Sequence, residues 1–160
     1  MKRYGRLLFC MAMSLLVLAG CGSSSNNLKE TDWEPTIYES VNTLDGVSMT
    51  IKEGTVSSTE LTLILENNSD KQCIFGESYL LEKNIEGNWY QVPVTLDGEY
   101  GFVDIGYELN STDVKEWPVD WAWLYGSLNK GHYRIVKDIL DFREAGDYDH
   151  HYLTAEFIID

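Results

Sequence analysis

Cysteine, proline and positive charge are all scarce in this chain. Its 160 residues hold three cysteines, three prolines and 12 lysines and arginines against 26 aspartates and glutamates, a formal net charge of −14. So few basic residues exclude nucleic acid as a partner, because phosphate binding needs clustered Lys and Arg. The low proline count excludes a rigid repetitive stalk, and a hydrophobic content of 44% excludes a wholly disordered chain. The apolar run from Leu7 to Leu18 is too short to cross a bilayer comfortably, which takes about 20 residues. There is no H-E-x-x-H, no G-x-S-x-G, no glycine-rich phosphate loop and no calcium loop of the D-x-D-x-D-G type. The length suits one domain, and no internal repeat divides it.

The beginning of the chain reads as an address. Lys2, Arg3 and Arg6 form a basic start, the apolar run follows, and small residues precede a break at Leu18-Ala19-Gly20-Cys21. That break resembles the lipobox of bacterial lipoproteins. The resemblance implies cleavage before Cys21, a diacylglycerol on its sulfur and a lipid anchor at the outer face of the cell membrane. Two or three acyl chains hold a protein there stably, where one would not. Residues 1–20 are therefore expected to be a signal peptide. Its removal takes three basic and no acidic residues, leaving nine basic against 26 acidic and a mature net charge of −17. Anionic headgroups repel such a surface, so the lipid rather than the domain is expected to hold the membrane.

With Cys10 in the signal and Cys21 lipidated, Cys73 is the one thiol left, and no disulfide is available to the mature domain. Its setting, Gln72-Cys73-Ile74-Phe75, is that of a small buried hydrophobe. Gly22-Ser23-Ser24-Ser25-Asn26-Asn27 has the composition of a flexible linker. Residues 21–34 are expected to be lipidated cysteine and tether, and residues 35–160 one domain.

Within that domain apolar residues recur with period two. Val47, Met49 and Ile51 do so, then Leu61, Leu63 and Leu65, then Leu153, Ala155, Phe157 and Ile159. Each set describes a half-buried strand. Turn signals separate them at Asp45-Gly46, Asn67-Asn68-Ser69-Asp70, Glu86-Gly87-Asn88, Asp97-Gly98, Asn129-Lys130-Gly131 and Gly146-Asp147. Tyr79–Lys83 and Trp89–Val94 are expected to form a hairpin, with further strands over Phe102–Leu109 and Tyr133–Ile139. A short helical turn is expected between Asp120 and Leu128. The sum is an all-β sandwich of seven to eight strands, with Trp89 packed across it.

Leu128, Gly131 and Tyr133 form L-x-x-G-x-Y before a strand, which resembles the tyrosine corner of Greek-key sandwiches. An antibody domain would carry cysteine two residues later; here stands Ile135. The layout from Gly46 to Ile159 resembles the bacterial Ig-like domains of Gram-positive surface lipoproteins, group fourteen of that type. The resemblance lies in Gly46-Val47-Ser48-Met49, Phe75-Gly76-Glu77-Ser78-Tyr79, Gly87-Asn88-Trp89-Tyr90, Trp117-Pro118-Val119-Asp120-Trp121 and Gly131-His132-Tyr133-Arg134-Ile135. It implies an immunoglobulin-like Greek-key sandwich and a surface location, and it brings no catalytic residues.

Three features invite chemistry. Trp117, Trp121, Trp123 and Tyr125 are candidates for stacking on a glycan or peptide, against which stands plain core packing. Asp147, Asp149, His150 and His151 can be drawn as a metal site, but neighbouring histidines on a strand point to opposite faces, so a polar hairpin loop without metal is expected. Asp97, Glu99, Asp104, Glu108, Asp113, Glu116 and Asp120 read as a solvated acidic face, with Asp120 capping a turn. The expected function is that of a non-catalytic, cofactor-free, lipid-anchored surface module that binds or supports another envelope component. The alternatives are a small-ligand binder using the Trp117–Tyr125 aromatics, and a protease-inhibitor-like domain presenting a loop such as Val94 to Phe102.

Overall fold

The computed structural model describes residues 30–160. The expected signal peptide, Cys21 and the serine-rich linker lie outside the described residues. Strand β1 (Val47–Ile51), β2 (Glu60–Asn67) and β7 (Val114–Asp120) form one antiparallel sheet in the order β1-β2-β7. The second sheet holds β3 (Gln72–Phe75), β4 (Leu80–Ile85), β5 (Asn88–Gln91), β6 (Tyr107–Leu109), β8 (Gly131–Glu144) and β9 (Asp147–Ile159). The strand count exceeds the expected seven or eight because two strand lines are interrupted. β9 pairs with β8 along nearly its whole length, so β3 and β4 share the opposite edge of β8, end to end. Outside them lie β6 and β5, paired with β3 and β4 respectively. Nine ladder segments thus occupy seven strand lines, three facing four.

The core lies where the period-two positions meet. Leu61, Leu63 and Leu65 from β2 and Val47 and Met49 from β1 are buried against Ile135, Ile139, Leu153 and Phe157 of the other sheet. Cys73 lies fully inside as a free thiol, and burial raises its pKa. The β4–β5 hairpin closes on Glu86 and Gly87, both with positive φ (53° and 89°), the two-residue turn whose twist matches the strands it joins.

Three local readings change. The strand expected over Phe102–Leu109 is only Tyr107–Leu109, because the chain from Val92 to Gly106 leaves the sheet as a long loop. The expected polar loop at Asp147–His151 is the start of β9, and the turn is confined to Ala145 and Gly146. Trp89 lies half-buried on the outer face of its sheet; the core tryptophan is Trp121, stacked on Phe157 with ring centres 5.5 Å apart. β7 was hidden by Pro118, which a strand at the edge of a sheet tolerates because its missing N–H has no ladder partner to lose.

Residues 30–44 cross the outside of the four-line sheet as a strap. It begins with a 3-10 turn (Glu30–Asp32) and runs beside the free edge of β5, where Thr36 N donates to Trp89 O and Gln91 N donates to Glu34 O. It then passes over the outer face, with the Tyr38 ring 4.7 Å from Tyr152. It finishes on the free edge of β9, where Asn42 N donates to Tyr152 O and Thr154 N donates to Asn42 Oδ1. The strap therefore engages part of each edge of this sheet, β5 on one side and Tyr152–Thr154 on the other, and so shortens the template for strand-to-strand aggregation. Among the described residues Glu30 already packs on the domain, within the stretch read from sequence as tether.

Candidate functional site

The four candidate aromatics do not share a surface. Trp121 is fully buried, with its Nε1 donating to Ser58 O at 3.0 Å. Tyr125 is buried at the end of the short helix α1 (Ala122–Tyr125), and burial pushes its phenol up to about 12. Trp117 is half-buried on the inner side of β7, edge-on to Phe75 at 5.2 Å and against Tyr107 at 4.5 Å. Only Trp123 is exposed. The helical turn is the reason: α1 rotates successive side chains by about 100°, so 121, 124 and 125 face the core and 123 faces out.

Trp123 instead joins a group that sequence spacing did not reveal. Its ring lies 5.7 Å from Phe102 and 6.3 Å from Tyr100, and Tyr100 lies 6.4 Å from Phe102, all with nearly perpendicular planes. Phe102 rests in turn on Tyr79 at 5.2 Å, and Tyr79 on Tyr125 at 6.3 Å. The β5–β6 loop is pinned beside α1, since Thr95 donates from both N and Oγ1 to Leu124 O. Burial raises the Tyr79 phenol, which donates to Asp120 O at 3.0 Å. Tyr100 is 48% and Trp123 44% exposed, and Leu96, Val103 and Ile105 of the same loop are exposed apolar residues too. A signal for this site was present in the run Leu96–Ile105, which mixes apolar and acidic residues without alternating.

At the corner, Tyr133 donates its hydroxyl to Asn129 O at 2.9 Å, and Leu128 is buried beside it. A Cβ on Gly131 would stand 2.7 Å from Lys83 Cε and 3.1 Å from the Tyr133 ring, so a larger residue here would displace the end of the Lys83 side chain. Asp120 Oδ1 accepts from Ala122 N at 2.8 Å, at the entry to α1. Asp147 and Asp149 both accept from Arg143, at 2.7 and 3.0 Å, so their charge is met by a side chain of the same hairpin. His150 and His151 stand opposite Leu140 and Ile139 on alternate faces of β9. Among the described residues no group of three or more His, Cys, Asp or Glu is arranged to hold a metal ion.

Buried charges are bound within the fold. Glu82 and Arg134 are a cross-strand pair at 2.6 Å on the outer face of the sheet, where Arg134 stacks over Trp89 and reaches Thr36 of the strap. Lys137 points inward between Ile135 and Ile139 and donates to Gly76 O and to Ser78 O, the latter at 3.0 Å. It bridges the gap between β3 and β4 on the edge of β8. Asn67 closes the β2–β3 turn, donating to Lys71 O and Leu109 O at 2.9 Å each. A hollow of about 290 Å³ under the strap is lined by Trp33, Lys83 and Tyr133, and Glu30 already binds the Lys83 ammonium there.

Two antiparallel sheets packed face to face and a tyrosine hydroxyl closing the corner before β8 define an immunoglobulin-like sandwich. The chain belongs to the bacterial Ig-like domain family, whose model matches residues 43–158. No curated protein matches it at a significant level. Among solved structures, the archaellum periplasmic stator protein FlaG from Sulfolobus acidocaldarius is similar at 14% identity and a TM-score of 0.35, covering 71% of this chain and 99% of its own. The ASH/PapD-like domain of human CEP192 (PapD-like domain 7) is similar at 13% identity and a TM-score of 0.34, covering 76% of this chain and 93% of its own.

Proposed function

We propose that this chain is a non-catalytic surface module, held at the outer face of the cell membrane by lipid on Cys21, that binds or supports another envelope component. The observation that carries the reading is the order of parts: a bacterial Ig-like domain over residues 43–158 follows the sequence Leu18-Ala19-Gly20-Cys21 with only a short connection between them. The engagement of the buried side chains Arg134, Lys83, Lys137 and Asp141, and of Glu82 through one of its two oxygens, with partners of the same fold supports a binding rather than a catalytic role.

The test is Cys21→Ser in cells fed labelled palmitate. The wild-type protein is expected to carry label, to sediment with membranes and to be digested by protease added to intact cells. The variant is expected to lose the label and leave the membrane fraction. Undiminished labelling of the variant rejects the anchor.

A further inference from the structure

We propose that the β5–β6 loop, with Trp123, is the surface on which this module meets its partner, and that the partner is a protein segment with an apolar centre and a rim of lysine or arginine. The proposal deepens the binding-module reading and rests on it for the place where the partner is met.

Tyr100, Phe102 and Trp123 make a three-ring cluster at the surface, and Tyr100 and Trp123 each expose nearly half their area to solvent. Beside them Val103 is 65% exposed. Aromatic residues with two side-chain torsions are the residue types that dominate the centres of protein interfaces. Here they are held before any partner arrives, by the Thr95–Leu124 hydrogen bonds on one side and the Tyr79–Phe102 ring contact on the other. A partner therefore gains the contact with little ordering cost.

Charge selects the occupant. Between Val92 and Leu109 the chain carries Asp97, Glu99, Asp104 and Glu108 and no lysine or arginine. Among the described residues none of these four carboxylates takes part in a salt bridge. An unneutralised acidic rim around an aromatic centre complements a basic rim around an apolar one. It also opposes a second copy of the same chain, since two acidic rims would be brought face to face. The ring planes argue against a sugar. Tyr100, Phe102 and Trp123 meet at 74° to 88°, so they offer no pair of coplanar faces for a pyranose to lie on.

The experiment places a photo-crosslinking phenylalanine analogue, one position at a time, at 100, 123, 114 and 148 of the full-length anchored protein in its own cells. Val114 and Tyr148 are exposed residues of β7 and β9 and serve as controls. Crosslinks are expected from 100 and 123 to one protein, through a captured peptide of net positive charge with apolar residues, and not from 114 or 148. The triple variant Asp97→Asn, Glu99→Gln, Asp104→Asn is expected to lower the yield about fivefold, three exposed pairs of about 0.3 kcal/mol each. High salt is expected to lower it similarly. Crosslinks from 114 or 148 alone overturn the proposal and leave the module reading intact. An acidic or neutral captured peptide, or a yield indifferent to the charge variants, overturns it too. No crosslink from any position overturns both.

Discussion

The ammonium of Lys137, on one sheet, lies 5.7 Å from the ring centre of Trp117 on the other, so a formal charge sits inside the sandwich with an aromatic face as its cover. Phe75 covers it from its own sheet at 5.4 Å, and the Gly76 and Ser78 carbonyls take its protons. Burial still outweighs these contacts and pushes the ammonium down to about 8.

A pH dependence follows, with its sign set by the direction of that shift. The folded pKa lies below the ordinary 10.5, so between the two values the unfolded chain binds the extra proton and stability rises with pH. Lys137 alone is expected to add up to about 3 kcal/mol across that window, at about 1.4 kcal/mol per pKa unit. The raised Cys73 thiol and the raised tyrosines act in the opposite sense above about pH 9 to 10. Urea midpoints of the wild type minus those of Lys137→Met, from pH 7 to 10, isolate the lysine. The difference should move in favour of the wild type as pH rises.

Removing one member of the buried pair beneath the strap is expected to be costly. Glu82→Ala leaves the Arg134 guanidinium enclosed without a counter-charge, a loss of about 3 to 5 kcal/mol. The double replacement Glu82→Leu with Arg134→Met should recover most of it, because similar volume is kept and no charge is stranded. Equilibrium denaturation of the wild type and the two variants checks this; equal stability of the single and double variants contradicts it.

The two neighbouring tryptophans should behave unequally. Trp121→Ala empties a fully buried site and removes the hydrogen bond to Ser58 O, at about 3 to 5 kcal/mol. Trp123→Ala, on the exposed side of α1, should cost about 1 kcal/mol, the loss of its ring contacts with Phe102 and Tyr100. Thermal melts followed by circular dichroism separate the cases.

At the corner, Tyr133→Phe deletes the bond from the hydroxyl to Asn129 O and the hydroxyl's interaction with the Lys83 ammonium. The expected loss is about 1 kcal/mol, with the ring stacking on Phe157 retained. A loss near 4 kcal/mol would mean that the ring itself had moved.

The strand pattern was legible because one face of each strand is dry and the other wet. That alternation predicts Val47–Ile51, Leu61–Leu65 and Leu153–Ile159 with the burial that is observed. It fails where a strand is interrupted or lies at an edge. β3 is four residues long, β7 contains a proline, and Lys137 occupies an inward position that hydrophobic counting assigns to an apolar residue. The strap was illegible for another reason: its bonds, from backbone and from side chains such as Asn42, Thr36 and Glu30, run to strands more than 45 residues away in sequence, and no local pattern encodes them.

By itself the sequence determined the fold class, the buried setting of Cys73 and the excess of negative charge, because each depends on residue type and local period alone. Tertiary structure decided which aromatics face solvent. It took Trp121 and Tyr125 into the core and assembled Tyr100, Phe102 and Trp123 at the surface, from a loop and a helical turn that meet only after the chain has folded. Exposure belongs to the packed molecule, and no spacing along the chain could assign it.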